Sequence, residues 1–134
     1  MSIKQIISLT TIAGANEQSA ASPITVVATG NSHDYGELAS FNRAMLFLDV
    51  SAIAGAAPSV VVGLQVQDPQ SGKWSSITAA TFPAQTAVTG GTPITPLTSE
   101  LYGLNHRLLW TFGGTTTSIT FQCCAVAGCE EPWS

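Results

Sequence analysis

The chain has 134 residues, of which 45% are hydrophobic and only 9% are Asp, Glu, Lys or Arg, and its net charge is −4. That length and apolar content describe one folded domain and exclude wholesale disorder. The four basic residues, Lys4, Arg43, Lys73 and Arg107, are scattered, which excludes a phosphate-neutralising nucleic-acid surface.

Ile3–Ile12 reads as a first extended arm or strand, with Ile3, Gln5, Ile7 and Leu9 partly alternating against Lys4, Ile6 and Ser8. Lys4, Gln5 and Thr10–Thr11 interrupt it, so it lacks the continuous apolar stretch of a secretory signal. No run in the chain approaches the ~18 apolar residues of a membrane-spanning helix. Asn16–Pro23 is a loop, Ile24–Thr29 a strand, and Gly30–Glu37 a second loop. A turn of helix fits only at Glu37–Asn42 or Ser99–Leu104.

Arg43–Ile53 and Ser59–Gln67 carry the clearest pattern. Ala44, Leu46, Leu48 and Val50 alternate with Met45, Phe47 and Asp49, and Val60, Val62, Leu64 and Val66 alternate with Val61, Gly63, Gln65 and Gln67. A period of two marks half-buried strands, because successive side chains leave a strand on opposite sides. The Ala-Gly-Ala-Ala-Pro stretch between them is expected to be a loop. Asp68-Pro69-Gln70-Ser71-Gly72-Lys73 then has the chemistry of a tight reversal: Pro69 presets φ, Asp68 and Ser71 bond local backbone, and Gly72 accepts a positive φ.

Trp74–Phe82 is the next strand. Ala84–Thr98 holds two short extended pieces, broken by Gly90-Gly91-Thr92-Pro93 and by Pro96. Arg107–Phe112 and Ser118–Ala127 are expected to form a final hairpin across Gly-Gly-Thr-Thr-Thr. Leu108, Trp110 and Phe112 share one face of it, and Ile119, Phe121, Cys123 and Ala125 another. Short strands at this spacing imply an all-β fold, an antiparallel, jelly-roll-like β-sandwich of about eight strands. Its parts are an arm or first strand at 1–15, a single domain at 16–128 and a tail at 129–134.

The charge deficit has two readings. Sixteen Thr and fourteen Ser supply polar surface that a strand-rich protein tolerates well. Alternatively, other subunits cover part of the surface, since charged residues are depleted in interface cores. Cys123, Cys124 and Cys129 are odd in number and crowd the end of the chain, the mark of reduced cysteines used as small hydrophobes. Adjacent strand cysteines point to opposite faces, so no metal site is expected there.

Catalytic candidates are sparse. His33-Asp34 with Ser32 and a distant His106 offers no nucleophile, base and orienting group in any familiar spacing. A solvated loop with a local turn at Asp34 explains it more simply. Asn31, Asp34 and Glu37 could offer oxygens to calcium but lack the alternating register of a calcium loop. Asp49, within an apolar strand, calls for an ion pair with Arg43 or Arg107. Trp74, Trp110, Trp133 and Tyr102 could build a sugar-binding platform; Trp110 falls on a core face, which leaves Trp74 as the exposed candidate. No enzyme activity and no cofactor are expected.

Phe47–Ile53 (FLDVSAI), Val62–Trp74 (VGLQVQDPQSGKW) and Arg107–Gly128 (RLLWTFGGTTTSITFQCCAVAG) together resemble a family of small virion structural proteins of tailed bacteriophages. In that family an LDVTAV strand precedes a strand ending in a DP-x-SGK-aromatic turn, and a late hairpin carries GG-x-x-SFTFSV. Cys123 and Cys124 depart from it, and the cysteine-containing tail is additional. The resemblance implies a capsid decoration (cement) protein or a small tail protein. The expected partners are then the major capsid protein and further copies of the chain, as a dimer or trimer, on the outer surface of a virion assembled in the host cytoplasm. Residues expected at contacts are Ile3, Ile6, Ile7, Ala56, Ala57, Trp74 and Trp133. A carbohydrate-binding β-sandwich at a tail tip is the alternative.

Overall fold

The computed structural model describes residues 3–9, 23–32, 38–39 and 41–129. Seven strands form one antiparallel sheet: β1 (Ile3–Ser8), β2 (Ile24–Val26), β3 (Gly30–Asn31), β4 (Arg43–Gln67), β5 (Trp74–Thr81), β6 (Leu97–Glu100) and β7 (His106–Cys129). The path runs β1-β7-β4-β5, with β2 and β3 also paired to β7 and β6 to β4. The described residues contain no α-helix; the turn of helix expected near Glu37–Asn42 is a short 3₁₀ turn at Leu38–Ala39.

Two expected breaks are absent. The Ala-Gly-Ala-Ala-Pro loop and the Gly-Gly-Thr-Thr-Thr hairpin turn do not interrupt the chain. Instead β4 runs for 25 residues and β7 for 24, paired along almost their whole length. The all-β, antiparallel expectation stands, but two long strands replace several of the short ones. The physical reason lies in small residues opposite hydroxyls. Ala57 N–H donates to Thr115 Oγ1 and Ser59 N–H donates to Thr116 Oγ1 at 2.7 Å, so side-chain oxygens continue a ladder that backbone carbonyls abandon.

Register shifts at Val50/Ala52, Ala54/Gly55 and Gly55/Pro58 leave a net slip of one residue between Arg43↔Gly128 and Val66↔His106. That slip explains the sequence parity. The buried hydrophobic side chains stay even-numbered through β4 (Leu46, Val50, Val60, Leu64) but switch in β7 from even (Leu108, Trp110) to odd (Ile119, Phe121).

The paired ribbon also folds over. Trp110 and Phe121 lie eleven residues apart in one strand, which would be about 36 Å if straight, yet their ring centroids are 5.7 Å apart in an edge-to-face contact at 63°. The bend sits at Gly55 (φ 138°) and Gly114 (φ 58°), where only glycine fits. β2 and β3 bridge the bend, because Val26 pairs with Ile119 while Gly30 pairs with Trp110. Trp110 Nε1 donates to Ala28 O at 3.1 Å, and Ser32 closes a two-way link with Leu108. Both halves of the ribbon thus contribute to one buried cluster, which also takes in Leu9, Leu38, Phe82 and Leu101.

The reversal after β4 forms as its residues require. Asp68 accepts from Gln70 N–H (2.8 Å), the Ser71 hydroxyl (2.9 Å) and Ser71 N–H (3.3 Å), while Gly72 takes φ 78°. Those hydrogen bonds, Gln70's first, hold the Asp68 carboxyl below its usual pKa. A depressed folded pKa contributes stability that is present above the unfolded value and lost as pH falls through the folded one. Asp68→Ala is therefore expected to lower the urea midpoint at pH 7, with a deficit that shrinks at acid pH. A deficit constant across pH would show that the carboxylate plays no such part.

Candidate docking surface

The outer face of the first half of β4 departs from a solvated strand. Ala44, Leu46, Leu48 and Val50 are buried as their alternation requires, yet the opposite face carries Met45 (44% exposed) and Phe47 (39% exposed). The register places Met45 beside Val126 of β7 and Thr98 of β6, and Phe47 beside Cys124. Directly opposed residues of paired strands share a face, so these side chains form one apolar strip. It borders a depression of about 430 Å³ with Arg43 and Gly128 at its end.

Among the described side chains, charge lies at the rim. Arg43 Nε lies 3.2 Å from Glu100 Oε1, both half-exposed. Asp49 sits opposite Gln122 at the far end of the strip. The ion pair expected between Asp49 and Arg43 or Arg107 does not form, because both arginines are engaged elsewhere. Arg43 holds Glu100, and Arg107 donates to Gln65 Oε1 at 2.8 Å while lying 4.5 Å from the centre of the Trp74 ring.

The expected contact residues are not brought together. Ala56 and Ala57 are exposed at the ribbon bend. Trp74 is half-buried under Arg107 at the start of β5, paired with Gln67 at the end of β4 away from the strip. Ile3, Ile6 and Ile7 lie in β1, opposite Cys129, Val126 and Ala125, and only their backbone is described. Trp133, His33, Asp34 and Glu37 lie outside the described residues. Asn31 is exposed in β3 with its amide donating to Ser32 O, and His106 is buried, its Nδ1 2.8 Å from Leu104 O.

The adjacent cysteines divide as expected between faces. Cys123 is fully buried and Cys124, half-buried, joins the strip beside Phe47. Burial raises both thiol pKa values, which keeps them protonated and poorly nucleophilic at neutral pH. Trp110, read as core, is core.

The strip itself was missed in the sequence, although a signal for it exists. Met45 and Phe47 are large apolar residues on one side of a strand whose other side already holds the core, and a solvated outer face would carry polar residues there.

No known protein family matches the chain, and no curated protein does. Among solved structures, the fold is similar to that of the SPBc2 prophage-derived protein YomS, at 9% identity and a TM-score of 0.48 over 94% of this chain and 95% of that one.

Proposed function

We propose that this chain is a non-enzymatic structural protein of a phage particle, a capsid decoration protein that reinforces the shell through many weak protein contacts. On this reading the curled sheet is a β-sandwich scaffold and the strip of Met45, Phe47, Cys124 and Val126 is its docking face. The observation that carries the proposal is that strip: a continuous apolar surface with its charges at the rim, on a chain that is 9% charged overall. Interface cores have this composition, with charge displaced to the edge. The phage-like strand and turn motifs point to the same class of protein.

The mechanism is mechanical. Each copy covers apolar surface on the shell, and copies repeated over a lattice add modest affinities into high avidity. Trp74 gives the carbohydrate alternative little support, since Arg107 stacks against it and Trp110 is in the core. Counting protein copies in purified particles tests the proposal. Decoration requires a number comparable to that of the shell protein. A handful of copies would contradict it and favour a tail position.

A further inference from the structure

The depression at the end of the apolar strip is bounded by charge on one side and by apolar groups on the other. Gly128, which has no side chain, sits in register between Lys4 of β1 and Arg43 of β4. Two of the four basic residues in the chain therefore flank one glycine. Met45, Phe47 and Val126 supply the apolar wall. The complementary occupant carries negative charge next to a large apolar group.

The chain itself holds such a segment one residue further on. β7 ends at Cys129, and Glu130-Glu131-Pro132-Trp133-Ser134 follows. Pro132 has no N–H with which to extend a strand pairing, and its fixed φ suits a reversal. We propose that residues 130–134 fold back over the outer face of their own sheet, with Trp133 seated in the depression against Met45 and the two glutamates beside Lys4 and Arg43.

Reach decides how far the cover extends. The four residues from Glu130 to Trp133 span at most ~13 Å when extended. Met45 stands opposite Val126, three positions back from Cys129 along β7 and so about 10 Å away. Phe47 stands opposite Cys124, five positions back and about 17 Å away. Trp133 thus reaches Met45 and stops short of Phe47.

The chemistry of the contact is favourable on both sides. A Trp ring removes roughly 150–250 Å² of surface from water when covered, and a Met thioether against an aromatic ring adds to that. Arg43 Nε meets Glu100 Oε1 at 3.2 Å, and a half-exposed guanidinium with five N–H donors has room for a second carboxylate. In the free chain the tail then hides the Met45 end of the strip and leaves Phe47 open, and a partner that engages the whole strip displaces it. That consequence rests on the docking reading; the seating of Trp133 does not.

NMR of the full chain with labelled methionine methyls tests the seating. An indole face over Met45 displaces its ε-methyl signal upfield. Trp133→Ala should abolish that displacement, and Glu130→Lys combined with Glu131→Lys should reduce it. The displacement should be the same over a hundredfold range of protein concentration. Equal Met45 positions in the wild-type and Trp133→Ala chains overturn the proposal. So does a displacement lost on dilution, which would give the site to the tail of a second copy. Equal incorporation of Phe47→Lys into particles would sink the docking reading and leave the Met45 displacement in place, so the two failures are distinct.

Discussion

Gly114→Ala and Gly55→Ala are each expected to cost about 3 kcal/mol or more of folding stability, with left-handed strain and steric overlap adding together. A Cβ on Gly55 would stand 2.1 Å from Thr115 O, and one on Gly114 2.2 Å from Ala57 O. Both contacts are with backbone, which cannot rotate aside, and both glycines have positive φ (138° and 58°). For a domain of this size such a loss lowers Tm by roughly 10 °C. Urea denaturation of the two variants checks this, with Gly91→Ala as the control: nothing lies within 4 Å of a Cβ built there. A loss below ~1 kcal/mol in both variants would mean that the ribbon does not bend where the two strands are described as bending.

The second large effect lies inside that bend. Phe121→Ala removes a fully buried ring and is expected to destabilise by about 3–5 kcal/mol. Trp110→Ala, whose ring meets Phe121 edge-on, belongs to the same range. The informative quantity is their coupling. A double-mutant cycle should return about 0.5–1.5 kcal/mol for the aromatic pair. If β7 were straight, the two rings would lie too far apart to couple, and the cycle would close to zero.

The sequence made the strand faces legible and hid the strand lengths. Alternation in Arg43–Val50 and Val60–Val66 told which side chains are buried, because period two is a local property of extended backbone. The reversal at Asp68–Lys73 was equally local, since its hydrogen bonds span only a few residues. Ala54–Pro58 and Gly113–Thr117 were misread as a loop and a turn for the opposite reason. Each looks like a chain break alone; opposed, the threonine hydroxyls of one supply acceptors to the other. Pairing partners more than fifty residues apart leave no local trace. The docking strip was half legible: Met45 and Phe47 were placed on the outer face, but their junction with Val126 and Cys124 depends on the β4–β7 register.

Trp74 shows the same limit. Its place after the reversal made it the aromatic expected in the open, yet Arg107, thirty-three residues away, stacks on it. An Arg guanidinium over a Trp face is a favourable contact in its own right. It removes the ring from the set of free contact surfaces expected from the sequence.

The most direct test of the docking account is the particle census repeated with Phe47→Lys, a substitution on the exposed strip with Asp49 two residues along on the same face. Particles assembled with the wild-type chain should carry it at a copy number near that of the shell protein. The variant, folded and with an unchanged thermal midpoint, should be depleted at least tenfold. Equal incorporation of the two chains would contradict a role for this face in attaching the protein to its particle.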